Sequence, residues 1–171
     1  HPMIEQGIIG PWDARFIELD KTKIVAKRNW GVASPHYVGI PSMSAIAKHL
    51  SRDLTVYRNT RIVSFKKDRN KWCPIEDSGN ELGSFDWVVS TVPAEQALEL
   101  LPDSLNFYTK IKSAKMKACF ALMLGFENHI NLDFDAANII SEDISWISIN
   151  SSKPKRNKKF CLIAHSTNKW A

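Results

Sequence analysis

Apolar and polar residues alternate with a two-residue period over much of the chain, which is typical of half-buried β-strands. This period predicts strands at residues 14–19, 23–27, 54–57, 61–65, 72–76, 85–92, 118–126, 144–150 and 160–165. Polar residues 20–23 and 77–80 favour hairpin connections, because they include residue types that suit tight turns. Segment 85–92 is nearly continuous in apolar residues, so we expect it at the centre of a sheet.

Two segments instead show the spacing of an amphipathic helix. A proline suits the first helical position, where its missing N–H would have no partner, and Pro41 and Pro93 each precede such a segment. The apolar stripes are Met43, Ile46, Ala47 and Leu50 in the first helix and Ala94, Ala97, Leu98 and Leu101 in the second. Many strands with two short helices predict an α+β fold built on a mixed, largely antiparallel sheet.

The length of 171 residues and a hydrophobic content of 44% suffice for a sizeable core, and we expect one domain over residues 4–171. Residues 1–3, which place a histidine and a proline before the first methionine, are expected to be a remnant of cloning. No apolar run approaches the roughly 20 residues that cross a bilayer, and the N-terminus lacks the pattern of a secretory signal. The sequence therefore predicts a cytoplasmic protein without a membrane partner.

The net charge of +5 is concentrated in residues 151–159, a short polar stretch rich in lysine and arginine. A basic surface attracts phosphates, so a nucleic-acid-binding module is one hypothesis. We favour a solvated loop between two strands, because few aromatic residues that could stack on bases lie among the basic ones. The three cysteines are far apart and predict neither a disulfide framework nor a zinc site.

Several motifs of enzyme chemistry are missing. The nearest approach to a dinucleotide fingerprint is Gly7 with Gly10, which has neither the spacing nor the preceding strand that a pyrophosphate cradle needs. No nucleophile elbow or zinc-protease helix occurs. Asp133 and Asp135 are acidic neighbours without the glycine and glutamate of a calcium loop, so we interpret them as part of a polar turn. No metal site and no catalytic side chain is predicted.

One strand carries a candidate binding surface. Alternation within residues 144–150 directs Trp146, Ser148 and Asn150 to one sheet face. An indole, a hydroxyl and an amide on one face could line a pocket for a planar ring. The alternative is a solvent-facing strand whose Trp146 packs beneath a loop. His165 closes the following strand and could orient a polar group or bind an anion, although a structural role is the simpler interpretation.

The order of several segments resembles the middle of a flavin amine oxidase, closest to the renalase-like branch. The similar segments read GPWDARFIELD, YVGIPSMSAIAKHL, TVPAEQ, WISINSSKPKR and LIAHST. The resemblance implies a substrate domain inserted in a Rossmann-like FAD domain, with both FAD-binding ends outside this chain. The missing FAD domain of the same protein is then the expected partner, and the chain alone should lack redox activity.

The resemblance also implies roles for individual residues. Ile62 matches a segment that lies near FAD, so it is expected to be a peripheral cofactor contact. Trp146, Asn150 and His165 match substrate-facing positions, and the implied substrate is a small reduced nitrogenous compound such as a dihydronicotinamide. No catalytic base is implied, because the flavin accepts the electrons. Ser42 stands where the family commonly has glycine, which departs from the pattern of close backbone approach.

Two other functions remain open at this point. One is the nucleic-acid-binding module with its basic stretch, and the other is a non-catalytic interaction domain derived from such an enzyme. The sequence does not distinguish the interaction domain from the substrate domain of an active oxidoreductase, since related folds serve different functions.

Overall fold

A computed structural model describes all residues, 1–171, and they form two compact units. The first, here the sheet unit, comprises residues 1–55 and 118–171, and the second, the hairpin unit, comprises residues 56–117. The sheet unit contains α1 (Pro2–Glu5), β1 (Ile9–Pro11), β2 (Arg15–Asp20), β3 (Lys23–Asn29), β4 (Tyr37–Gly39), α2 (Ser44–Leu50), β7 (Ala121–Gly125), β8 (Ala136–Ile140), β9 (Ile144–Ile149), a 3-10 turn (Asn150–Ser152) and β10 (Cys161–Ser166). The hairpin unit contains β5 (Ile62–Asp68), β6 (Lys71–Glu76), α3 (Ala94–Leu100) and α4 (Tyr108–Ser113). None of these helices combines the length and apolarity required to cross a membrane.

A six-stranded sheet dominates the sheet unit, with the strand order β3-β2-β8-β9-β10-β7. Strands β2 and β8 pair in parallel, and the other neighbours pair antiparallel. A second, two-stranded sheet joins β1 to β4. The predicted α+β fold with a mixed, largely antiparallel sheet is therefore confirmed.

The core of the sheet unit is aromatic. Its buried members are Trp12, Ala14, Phe16, Val38 and Ala136, and the half-buried Trp30 and Trp146 pack against them. Large flat rings supply much apolar contact area per residue, so few side chains are needed to close this core. Ala136 is fully buried, because a small residue allows the neighbouring rings to approach β8.

The basic stretch at residues 151–159 contributes to this fold. Arg156 donates from Nη1 to the backbone oxygens of Gly39 (2.9 Å) and Pro41, and thereby connects this loop to the end of β4. The ammonium group of Lys153 lies 5.0 Å from the Trp12 ring. Burial, with the neighbouring charge of Arg156, lowers the pKa of Lys153. Two of the basic side chains are thus engaged in packing.

The hairpin unit is built around the antiparallel pair β5 and β6. Cys73 is buried in β6, and Ala97 is buried in α3. The hydroxyl of Tyr108 donates to the backbone oxygen of Leu98 at 3.2 Å, which connects α4 to α3. The unit thus has its own small interior.

Most of the predicted strands are confirmed, including the hairpin of β2 and β3. The first helix begins at Ser44 instead of near Pro41, because the backbone oxygen of Ser42 first accepts a turn hydrogen bond from Ala45 N. The second helix follows Pro93 as predicted.

Two predicted strands are wrong. Residues 54–57 have no strand partner, and Leu54 N donates instead to Ser51 O in a turn. In segment 85–92, only Phe85 pairs, with Trp72. Strand β6 begins at Lys71, so it offers no partner for residues that follow Phe85 in the antiparallel direction. Residues 86–92 therefore leave the sheet, and Trp87 is 88% exposed.

The sequence pattern does not predict α1, β1, β4, α4 and, above all, β8, which directly follows the polar turn expected at Asp133 and Asp135. Strand β8 lies in the middle of the large sheet. Its two alanines are weak strand formers in isolation, and they are strand residues here because both are fully buried.

Candidate functional site

A row of four side chains crosses one face of the large sheet. Glu18 of β2 pairs in register with Asn138 of β8, Asn138 with Trp146 of β9, and Trp146 with His165 of β10. Residues that pair directly on neighbouring strands project to the same side of a sheet. We call these four residues the polar row. At about 4.8 Å between strands, its three intervals span roughly 14 Å.

All four side chains of the polar row are half-buried, so each presents part of its surface to solvent. The row offers a carboxylate, an amide, an indole and an imidazole in succession. Such a set combines one flat apolar surface with several hydrogen-bonding groups, which is the composition of a site that orients a small ring.

The indole of Trp146 is held in place by the aromatic core. Its ring centroid lies 6.1 Å from that of Phe16 and 6.3 Å from that of Trp30, with the planes of Trp146 and Trp30 only 15° apart. Trp30 in turn stacks on Phe16 at 5.2 Å and on His36 at 3.8 Å. The alternative in which Trp146 merely packs is therefore correct in part: the ring joins the core and remains half-exposed.

One end of the polar row is charged. Arg28 of β3 donates from Nη2 to Glu18 Oε1 at 2.7 Å, and its guanidinium carbon lies 4.6 Å from the centroid of the Phe16 ring. The pair fixes the position of the Glu18 carboxylate. The second carboxylate oxygen of Glu18 has no partner in the chain, so it can accept a hydrogen bond from a ligand.

The structure brings together two of the predicted substrate residues, Trp146 and His165. Asn150 lies beyond the end of β9, in the 3-10 turn, where its Oδ1 accepts from Lys153 Nζ (3.3 Å) and its Nδ2 lies 3.9 Å from Cys161 Sγ. Its amide is thus used locally. Ser148, on the Trp146 face, is buried. Ile62, the predicted cofactor contact, is the first residue of β5 in the hairpin unit.

Sequence reasoning missed Asn138 and Glu18. Asn138 could not be found without β8, which was not predicted. Glu18 could have been found from the sequence. It lies two residues after the core residue Phe16 in a correctly predicted strand, and residues two apart in a strand share one face.

The chain by itself does not fit a dinucleotide. A pyrophosphate needs a strand, a glycine-rich turn and the N-terminus of a helix. The only comparable turn joins β4 to the short α2 and contains Gly39. A Cβ on Gly39 would lie 2.5 Å from the backbone oxygen of Ser42 and 2.9 Å from the Cα of Met43. The space beside this glycine is therefore filled by the chain's own backbone.

No protein-family model matches the chain. Solved structures that resemble its fold include two from a bacterium and an archaeon. The "Putative protoporphyrinogen oxidase" of Exiguobacterium sp. 255-15 matches with a TM-score of 0.60 and 13% identity, over 80% of this chain and 32% of its own. The PF1083 protein of Pyrococcus furiosus matches with a TM-score of 0.55 and 16% identity, over 78% of this chain and 36% of its own. The chain thus shares its fold with about a third of each of these longer proteins.

Proposed function

We propose that this chain supplies the substrate-binding face of an FAD-dependent oxidoreductase of the amine-oxidase superfamily, renalase-like branch. The observation that carries the proposal is the polar row, in which Trp146 and His165 lie side by side on a sheet built mostly as the sequence predicts. The oxidase description of the Exiguobacterium neighbour agrees with a redox role, and the segment resemblance agrees with this superfamily.

In this proposal the flavin is held mainly by another domain of the same protein, because the residues of this chain do not form a pyrophosphate cradle. Ile62 is proposed as a peripheral contact to that cofactor. The part of this chain is to bind the reduced compound, keep its ring flat and exclude water from one side of it. None of its side chains needs to take a proton for that task.

We propose a dihydronicotinamide or a similar reduced nitrogen heterocycle as the substrate. Its ring would stack on the half-exposed indole of Trp146. A ring carboxamide is both a donor and an acceptor, which matches the amide of Asn138 and the free carboxylate oxygen of Glu18. His165, on the other side of Trp146, would orient the opposite edge of the ring.

Titration with N-benzyl dihydronicotinamide tests this assignment, because the compound is uncharged and cannot bind through phosphates. We expect saturable changes in the NMR signals of Asn138, Trp146 and His165. Trp146→Ala should weaken binding about tenfold through lost stacking, whereas Trp170→Ala, which removes an exposed indole outside the row, should change it little.

Two outcomes separate this function from the alternatives. Binding that is unchanged by Trp146→Ala would mean that the row is not the site. Binding of nucleic acid that falls steeply with added salt, without binding of the neutral ring, would favour a basic module instead. Trp146→Phe should preserve the core contacts and recover most of the affinity that Trp146→Ala loses. Its behaviour distinguishes a loss of stacking from a loss of folding.

A further inference from the structure

A second concave site lies on the opposite face of the large sheet from the polar row. Its cavity has a volume of ≈ 220 Å³. Arg15 and Ile149 line it, and they alternate with Phe16 and Ser148, which belong to the other face. The cavity is thus separate from the proposed substrate surface.

The only carboxylate at this cavity is already neutralised. Asp135 accepts from Arg15 Nε and from the Arg15 backbone N–H at Oδ2, both at 2.9 Å, and from Arg15 Nη2 at Oδ1, at 3.2 Å. Arg15 Nη2 also donates to the backbone oxygen of Leu132 at 3.0 Å. The Arg15–Asp135 pair therefore contributes almost no net charge, and it holds one wall of the cavity in place.

A positive charge and further donors remain on the other walls. Lys158 lines the cavity and takes part in none of the chain's salt bridges. Asn131 and His129 also line it. The His129 ring packs edge-on against Phe160, with centroids 4.9 Å apart, which limits its possible orientations.

The rest of the lining consists of two serines, Ser151 and Ser152, and four apolar residues, Ile130, Leu132, Ile149 and Phe160. Ile149 and Phe160 are nearly completely buried and form the floor of the cavity, whereas Ile130 and Leu132 keep accessible surface. A cation and amide donors beside apolar walls suit a ligand that has one anionic group and a small apolar body.

We propose that this cavity binds a small organic anion whose carboxylate or phosphate group contacts Lys158 and Asn131 and whose apolar part lies against Ile130 and Leu132. His129 donates a further hydrogen bond to the same anionic group. Nothing in this site requires the proposed oxidoreductase function, so the two can be tested separately.

The test is a titration of the 171-residue chain with benzoate and, separately, with inorganic phosphate, followed by NMR of the amide signals of residues 129–132 and 149–160. We expect saturable shifts at these residues with at least one of the two anions. Stronger binding of benzoate would assign a carboxylate ligand, and stronger binding of phosphate a phosphorylated one.

A matched pair of variants makes the test decisive. Lys158→Gln should weaken binding at least fivefold, whereas Lys159→Gln should change it less than twofold, because it removes an equal charge from a neighbouring residue that does not line the cavity. Both lysines are exposed, so neither change should affect folding. Equal effects of the two variants, or the absence of saturable shifts with both anions, would overturn the proposal.

Discussion

Trp146 of β9 and His165 of β10 are direct cross-strand partners, on the sheet face where Trp146 packs against Phe16 and Trp30. The two rings thus belong to different strands, which are separated by residues 150–160 and joined by the sheet ladder, so that their spacing is fixed by backbone hydrogen bonds. The indole and the imidazole are therefore neighbours on one sheet face.

The first prediction concerns His165. His165→Ala should weaken binding of N-benzyl dihydronicotinamide about three- to tenfold, the usual effect of one lost hydrogen bond to a neutral ligand. His165→Gln should recover part of that affinity, since glutamine also offers a donor and an acceptor. His49→Ala, a half-buried histidine of α2 outside the polar row, is the control and should have no effect. Equal affinity in wild type and His165→Ala would remove this residue from the site.

The second prediction concerns the pH dependence of stability. Burial alone would raise the pKa of Asp135, but the side-chain and backbone hydrogen bonds from Arg15 outweigh it and lower that pKa below its usual value. A carboxylate with a depressed folded-state pKa stabilises the fold above its unfolded-state pKa, about 3.9. That stabilisation is lost as the pH falls through the folded-state value.

Asp135→Asn should therefore lower the free energy of unfolding by about 1–3 kcal/mol at pH 7 and flatten its decline in acid. Urea denaturation between pH 7 and pH 2.5 measures both effects. Asp133→Asn is the matched control, because it removes a nearby exposed carboxylate that makes no hydrogen bond to Arg15. A variant whose acid profile coincides with that of wild type would contradict the role given to this ion pair.

The third prediction concerns the turn after β4. Gly39→Ala should destabilise the chain by more than about 2 kcal/mol, because its Cβ would meet backbone atoms that cannot move aside independently. Gly31→Ala should stay within about 0.5 kcal/mol of wild type or stabilise slightly, since nothing lies within 4 Å of a Cβ at that position. Thermal denaturation measures the stability of the two variants, and similar midpoints for both would argue against the geometry of this turn.

The fourth prediction concerns Arg156. Arg156→Ala should cost about 1–2 kcal/mol and loosen residues 151–159, because it removes the hydrogen bonds to Gly39 and Pro41. Lys159→Ala removes a charge from the same stretch without such contacts and should leave stability within about 0.5 kcal/mol of wild type. Backbone NMR relaxation measures the change in mobility. Unaltered relaxation in Arg156→Ala would show that other contacts hold the loop.

The sequence was sufficient for the parts of this fold that depend on local pattern. Alternation identified β2 and β9, and with them the faces that carry Phe16 and Trp146. It did not identify β8, because the strand character of its alanines comes from burial between β2 and β9. Without β8, the neighbourhood of Glu18, Asn138 and Trp146 could not be predicted, since register between distant strands is set by tertiary pairing.

Apolarity alone misled in segment 85–92. Trp87 and Val89 are 88% and 83% exposed, although their sequence suggested a central strand. A strand needs a neighbouring strand for its backbone hydrogen bonds as well as apolar residues. Strand β6 begins at Lys71 and so has no residues that could pair with the segment after Phe85. Alternation also placed Asn150 within the strand, whereas it begins the 3-10 turn that follows β9; its role in substrate binding stays a prediction.

The central claim is best tested on the protein that contains this chain together with the proposed FAD domain. Its visible absorption spectrum would be recorded before and after anaerobic addition of a dihydronicotinamide. We predict flavin bands that bleach on addition, at least tenfold more slowly in Trp146→Ala than in Trp170→Ala. A colourless protein that cannot be reconstituted with FAD would contradict the account.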